Sequence, residues 1–208
     1  MPKKIIYPVK LIFASNNPHK VQELRSAIGS KLEIVSLKDA GIFQNLPEPF
    51  PTLKENARSK ARYVNQLTGG ENCFSEDTGL EVDALGGEPG VHSARYAGDP
   101  PDPANNIRKL LRAMADSSNR RARFITVICL ILLDKEYFFE GRCEGQLLRS
   151  SSGQGGFGYD PIFQPDGSDK SFAEMSEEEK NLFSHRRKAG DLLVAFLRTQ
   201  TDSTNGQN

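Results

Sequence analysis

KLIFASNNPHKVQELRSAIGSKLEIVS, residues 10–36, holds the pattern that sets the fold. Its opening, Lys10-Leu11-Ile12-Phe13-Ala14-Ser15, is a short apolar run suited to a buried strand, and Asn17-Pro18 then supplies an N-cap with proline at the first helical position. Val21, Leu24 and Ile28 recur at helical spacing, and Gly29 closes the helix. Leu32-Glu33-Ile34-Val35-Ser36 alternates as a second strand would, so the stretch is β-α-β and predicts an α/β protein.

Outward from that unit, a loop rich in proline (Pro47, Pro49, Pro51) leads to Thr52-Leu53-Lys54-Glu55, a capping-box spacing. It opens a helix with Ala57, Ala61, Val64 and Leu67 on one face and Gly69-Gly70 at its end. Cys73-Phe74-Ser75 predicts a short strand, Asp77-Thr78-Gly79 a turn, and Leu80-Glu81-Val82 another strand before the glycine-rich loop at 86–90. Asp102-Pro103 caps a helix striped by Ala104, Ile107, Leu111 and Met114. Residues 122–133 and 137–145, joined through Asp134-Lys135-Glu136, predict a hairpin whose nearly all-apolar first strand is central, which makes the sheet mixed. Ser176-Glu177-Glu178-Glu179 is a second capping-box spacing, and Ala189, Leu192, Leu193 and Phe196 mark a closing helix that ends near Arg198. These readings predict one domain over residues 1–198 and a polar, aperiodic tail over 199–208.

Composition narrows the function. Lys+Arg and Asp+Glu each number 27 in 208 residues, a balance that argues against general affinity for nucleic acid or anionic membranes and makes any anion site local. The longest apolar run, residues 125–133, is far below the roughly 18 residues a membrane span needs. The first eight residues carry too short an apolar part for a signal peptide, and Cys73, Cys129 and Cys143 are odd in number and widely spaced, as reduced thiols are. A cytoplasmic protein is expected.

The segment Gly155-Gly156-Phe157-Gly158-Tyr159-Asp160-Pro161-Ile162-Phe163 points most directly to a ligand. Its glycines permit φ > 0 and close backbone approach, Phe157 offers a ring, and Asp160-Pro161 forces a turn that presents a carboxylate. Ser15, Asn16, Asn17, Pro18, His19 and Lys20 lie where a helix follows a strand, a place whose unpaired N–H groups and dipole favour phosphate; a capped helix with a surface lysine is the plainer account. Glu76-Asp77, read at a strand end before a turn, offers adjacent carboxylates that suit Mg²⁺ and water activation, and Glu48 in the proline-rich loop either completes that shell or is solvated. Lys60, four residues after Asn56, faces either solvent or the same phosphates, and Lys180, His185 and Arg186 form either a donor cluster or a solvated basic face.

Other chemistries lack their central parts. Residues 153–158 match GxGxxG, yet Asp160-Pro161 prevents the helix that a dinucleotide fingerprint must open. No GxxxxGK[ST], GxSxG or HExxH occurs, and neither His19 nor His92 has a partner at ligand spacing.

Taken in order, Ser15-x-Asn17-x-x-Lys20, Glu55-Asn56-Ala57-x-x-Lys60-Ala61, Glu76-Asp77-Thr78-Gly79-Leu80, Ser93-Ala94-Arg95-Tyr96, Gly156-Phe157-Gly158-Tyr159-Asp160-Pro161-Ile162-Phe163 and Ser184-His185-Arg186 closely resemble the inosine triphosphate pyrophosphatase family, enzymes that hydrolyse non-standard purine nucleoside triphosphates. The resemblance runs from about Leu11 to Leu197. It implies an elongated, mixed α/β sheet flanked by helices, two lobes with a central substrate cleft, and a homodimer. It also implies roles. Ser15 to Lys20 would cradle phosphates with help from Lys60; Asp77 would be the base and a Mg²⁺ contact, Glu48 the other metal carboxylate, and Thr78 a substrate contact. Phe157 would stack on the base, the backbone at Gly158 and Tyr159 together with Asp160 would read its edge, and Lys180, His185 and Arg186 would touch base or phosphate. Ser15-Asn16 stands where Thr-Gly is frequent in the family, and Glu76 where a second aspartate is frequent, which leaves a metal role for Glu76 open.

The implied reaction is attack of water on the α-phosphorus of ITP, dITP or XTP, releasing pyrophosphate and leaving the monophosphate. Two other readings compete: a pyrimidine-directed nucleotide pyrophosphatase of similar fold, which a panel of triphosphates separates, and a catalytically silent nucleotide-binding protein. Clustered carboxylates beside Lys20 and Lys60 argue against silence, because simple binding of a polyanion gains little from them unless a metal bridges.

Overall fold

The computed structural model describes residues 9–205, apart from the side chains of Lys31 and residues 201–205. The N-terminal octapeptide and the last three tail residues therefore lie outside the described residues. Along the chain come β1 (Val9–Phe13), α1 (Pro18–Ile28), β2 (Leu32–Ser36), α2 (Leu53–Leu67), β3 (Cys73–Val82), β4 (Pro89–Gly90) and α3 (Pro103–Ala113). They are followed by β5 (Arg121–Leu132), β6 (Lys135–Leu147), β7 (Phe163–Pro165), α4 (Glu177–Phe183) and α5 (His185–Asn205). Strands hydrogen-bond in the order β2-β1-β3-β5-β6-β7, with β4 on β3. β1 runs parallel to β2 and β3, whereas β7 is antiparallel to β6, so the expected mixed α/β sheet is what the chain forms.

The chain divides into two compact units, each discontinuous in sequence. The first comprises residues 1–77, 127–141 and 186–208; the second comprises 78–126 and 142–185. The first unit is layered by strand alternation, which sends successive side chains to opposite faces. Val9, Leu11 and Phe13 of β1, Phe74 of β3, and Ile128, Leu130 and Leu132 of β5 pack with Leu24 and Ile28 of α1 and Leu193 and Leu197 of α5. Their neighbours Ala14, Cys73, Cys129 and Ile131 face the other way, against Ala57, Ala61 and Val64 of α2. The second unit has its own core, in which Leu80, Val82, Phe124, Cys143 and Leu147 meet Leu110, Tyr159, Phe163 and Phe172. Full burial of each large apolar side chain contributes about 1.5–3 kcal/mol, enough in sum to fix strands that also carry buried charge.

Local chemistry accounts for the helix starts. Asp102 accepts from the Asn105 N–H, Thr52 from the Glu55 N–H, and Ser176 and Glu179 close a reciprocal capping box. Several expectations change, among them the stripe of α3, where Asn106 and Leu110 are the buried residues and Ala104 is exposed. Cys73–Val82 is one strand, because burial on both faces and the β-branched Thr78 favour extension over a turn at Asp77-Thr78-Gly79. The β5–β6 link is only Leu133-Asp134, both with positive φ (52° and 64°), a primed two-residue turn without its usual Asn-Gly signal. Leu67 and Leu192 lie outside the core, 46% and 50% exposed, and the buried stripe of α5 is Ala189, Leu193, Val194 and Leu197. Finally, α5 continues past Arg198 to Asn205, since no glycine or proline interrupts it before Gly206.

Cys73, Cys129 and Cys143 are free and buried; burial pushes the Cys73 and Cys129 thiols up to about 12, so both stay protonated. No helix among the described residues is long and apolar enough to cross a membrane.

Candidate active site

β3 pairs with β1 at Ile12↔Cys73 and Phe13↔Phe74, and the Phe13 and Phe74 rings stack at 4.6 Å. Past the end of β1, β3 continues through Ser75-Glu76-Asp77, and its alternation now distributes polar groups. Ser75 donates to the Ala57 carbonyl on the α2 side. Glu76 turns to the α1/α5 side and Asp77 returns to α2, so the two adjacent carboxylates have separate partners. Period two thus sends the neighbouring Glu76 and Asp77 carboxylates to opposite sides of the strand.

Glu76 is 1% exposed and gripped from two elements. Arg186 of α5 meets it with two parallel bonds, Nε–Oε2 at 2.7 Å and Nη2–Oε1 at 3.0 Å, and Lys20 Nζ of α1 lies 3.1 Å from Oε1. Glu23, one turn after Lys20, binds the remaining arm of Arg186 through Nη1. Burial alone would raise the Glu76 pKa, but the charges of Arg186 and then Lys20 overcome it and hold the carboxyl well below its usual range. Its oxygens are spent on two cations, an arrangement that serves as a buried counter-ion better than as a metal ligand.

On the α2 side, Lys60 Nζ stands between Glu48 Oε1 at 2.5 Å and Asp77 Oδ1 at 2.8 Å. Asn56, one turn earlier, pins the loop that brings Glu48 there, accepting from Phe50 N at 2.9 Å and donating to Phe50 O at 3.0 Å. The two carboxyls are driven apart. Burial lifts Asp77 above its ordinary value against the pull of Lys60 and with help from Glu48, whereas Glu48, also desolvated, is held low mainly by Lys60. Among the described residues no cluster of three or more His, Cys, Asp or Glu side chains could hold a metal. Two oxygen donors nevertheless fit Mg²⁺, which needs one or two carboxylates and completes its shell with water and substrate phosphate.

The loop after β1 forms the expected cap, and the cap has a consequence for the donors at the helix start. Asn17 Oδ1 accepts from the N–H groups of both His19 (3.0 Å) and Lys20 (3.2 Å), and Pro18 has no N–H, so the helix-start donors expected for phosphate are largely engaged by the cap. Ser15 Oγ accepts from Asn17 N, and Asn16 Nδ2 donates to Gln44 O. The ammonium of Lys20 and the helix dipole remain as the local positive charge.

Within the second unit the glycine segment is wound around Asp160. Its Oδ2 accepts from Phe157 N at 2.8 Å and from Lys180 Nζ at 2.6 Å, and a Cβ on Gly156, whose φ is +69°, would fall 2.2 Å from that oxygen. Asp160 is 3% exposed and so organises the loop, whereas the half-buried Phe157 ring lies with Lys180 Nζ 5.2 Å from its centroid. Gly158 takes φ +63°, and the buried Tyr159 donates its hydroxyl to Ser93 O at 2.9 Å. His185 stacks on Phe124 at 4.7 Å, and Thr78 Oγ1 meets Thr126 Oγ1 at 2.6 Å.

The predicted residues therefore form two groups: Ser15–Lys20, Glu48, Lys60, Glu76, Asp77 and Arg186 in the first unit, and Thr78, Phe157–Asp160, Lys180 and His185 in the second. The unit boundaries fall within the motif pairs Asp77-Thr78 and His185-Arg186. Glu23 and Asn56 escaped the sequence reading of roles; their spacing, i+3 from Lys20 and i−4 from Lys60, places each on its lysine's helix face and is the signal available for them.

The mixed α/β fold defined by this strand order is one that solved proteins share. The structure of the Staphylococcus aureus Ham1 protein superposes with a TM-score of 0.82 at 35% identity, covering 92% of this chain and 99% of that one. The sequence model of the Ham1 family matches residues 11–196, and the chain belongs to that family. Similar curated proteins are the dITP/XTP pyrophosphatases of Porphyromonas gingivalis, 51% identical over 189 residues (90% of this chain, 97% of the relative), and of Flavobacterium johnsoniae, 48% identical over 189 residues (91% and 98%).

Proposed function

We propose that this chain hydrolyses non-standard purine nucleoside triphosphates, ITP, dITP and XTP, to the monophosphate and pyrophosphate. The observation that carries the reading is the split carboxyl pair: Asp77, raised by burial, and Glu48, held low, on either side of Lys60. A carboxylate whose pKa is raised by burial is a stronger proton acceptor than an ordinary one, which suits Asp77 to take a proton from water attacking the α-phosphorus. The names of the curated relatives, dITP/XTP pyrophosphatases, support the substrate class.

Lys20 and Lys60 supply positive charge for the phosphates, and loss of such a donor typically costs about 10²- to 10³-fold in rate. Glu48 and Asp77 are the residues that would hold Mg²⁺, which when bound neutralises phosphate charge. Arg186, expected to touch base or phosphate, is instead assigned to fixing Glu76 and through it Lys20. Phe157 provides the stacking surface for the base, set by the Asp160–Lys180 latch. Hypoxanthine and xanthine carry an acceptor oxygen at position 6 where adenine carries a donor, so N–H donors near Phe157 disfavour ATP by about 1–3 kcal/mol for each donor left unpaired. The proposal includes a single domain over residues 1–198, a homodimer, and a cytoplasmic setting, which three reduced, buried thiols suit.

The test is to incubate the purified protein and Mg²⁺ with single triphosphates and to separate pyrophosphate from orthophosphate. Pyrophosphate as first product from ITP, dITP and XTP, well ahead of ATP and GTP, is expected. Orthophosphate as first product would place cleavage elsewhere, and preference for pyrimidine triphosphates would favour the pyrimidine-directed reading.

A further inference from the structure

We propose that Lys60 is the resident cation of the Glu48–Asp77 pair in the nucleotide-free protein, and that it yields the pair to a divalent metal only when a triphosphate arrives to receive its ammonium. The inference rests on the assignment of those two carboxylates as metal ligands. Lys60 is only 4% exposed, and its Nζ lies within hydrogen-bond distance of both carboxylates. An ammonium is a compact point charge with three donors and no acceptor, so in this position it neutralises the pair and uses the oxygens a metal would need. A dication brought to the same oxygens meets strong repulsion from an ammonium less than 3 Å from each of them.

The backbones that carry the carboxylates are held by named contacts, and the long lysine arm is the most adaptable member of the trio. Glu48 is carried on the loop that Asn56 clamps at Phe50, and Asp77 projects from the buried strand β3. The helix backbone at Lys60 is fixed by Ala57, Ala61 and Val64, each 0% exposed. The four-carbon arm of Lys60 can swing without disturbing its helix, and an incoming polyanion offers its ammonium a partner of higher charge than either carboxylate. Metal and nucleotide binding are then coupled: free metal binds poorly, and the metal–nucleotide complex is the species taken up.

Mn²⁺ binding, followed by calorimetry and by electron paramagnetic resonance, tests this without turnover. Nucleotide-free wild type is expected to bind weakly, whereas Lys60→Met binds one ion at least about tenfold tighter and gains thermal stability from it. Adding Glu48→Gln to Lys60→Met should abolish that gain, which assigns the ion to this pair. On the wild type alone, a non-hydrolysable inosine triphosphate analogue should tighten Mn²⁺ binding by a similar factor. Equal Mn²⁺ affinity of wild type with and without the analogue, or of wild type and Lys60→Met, overturns the proposal. Pyrophosphate release from ITP by the wild type is measured separately, so the proposed activity stands or falls on that assay whatever the metal titration gives.

Discussion

The first unit and the second hold their buried polar groups by opposite means. In the first, the cations Lys20, Lys60 and Arg186 are interleaved with the acids Glu23, Glu48, Glu76 and Asp77, and every member has a charged partner outside its own element. In the second, the ion pair Asp160–Lys180 lies among aromatic rings, with Lys180 Nζ 5.2 Å from the ring centroids of both Phe157 and Phe172. A mutually neutralising cluster makes chemistry and stability hard to separate, because removing one charge strands another in low dielectric. A ring-lined latch makes affinity adjustable, because trimming a ring removes area and leaves no charge unpaired. Substitutions should sort accordingly, with rate and stability effects in the first unit and binding effects in the second.

The largest effect belongs to Asp77. Asp77→Asn keeps the shape and removes both the proton acceptor and a charged partner of Lys60. Turnover should fall by about 10²- to 10⁴-fold, the usual contribution of a positioned general base, with near-normal KM and an unaltered circular dichroism spectrum. Near-normal kcat would remove Asp77 from that role and with it the sharpest distinction between the units.

That distinction was only partly legible in the sequence. The β-α-β opening, the caps at Asn17, Thr52, Asp102 and Ser176, and the stripe of α2 depend on residues close in the chain, and local spacing exposes them. Asp77-Thr78-Gly79 misled because turn preference is local, whereas what extends β3 is burial on both faces, supplied by residues far away in sequence. The same gap hid the separation of Glu76 from Asp77: alternation follows once the strand is known, and not before. Arg186 is read from its motif alone, and its partners Glu23 and Glu76 lie 163 and 110 residues away, beyond any spacing rule. Asn17 was identified as a cap, and the consequence, that a good cap takes up the donors an anion would use, is a matter of competition that only geometry decides.

Next in size is the structural share of the charge cluster. Glu76→Gln leaves Lys20 without its carboxylate and weakens the grip on Arg186, and breaking a buried pair in this way costs about 3–5 kcal/mol, measurable by urea unfolding at pH 7. The pH dependence has a definite sign. Glu76 has a folded pKa below the unfolded value of 4.5, so its contribution is fully present above that value and is lost as pH falls through the lower, folded one. The stability gap between wild type and Glu76→Gln should therefore be constant from neutrality to about pH 5 and narrow only in more acid solution. A gap that closes between pH 6 and 8 would point to a different titrating group.

The smallest of these effects tests the second unit. Phe157→Ala removes the ring that the Asp160–Lys180 latch sets, while the latch itself depends on the Phe157 N–H and the Lys180 ammonium, neither of which the substitution deletes. Stacking of a base on an aromatic side chain contributes about 1–3 kcal/mol, so KM for ITP should rise by up to about two orders of magnitude with kcat changed much less. Stability should fall little, since Phe157 is only half-buried and its loss opens no sealed cavity. Equal losses in kcat and in kcat/KM would mean that the ring acts only in the transition state, and the division of labour between a charge cluster for rate and a ring group for binding would have to be abandoned.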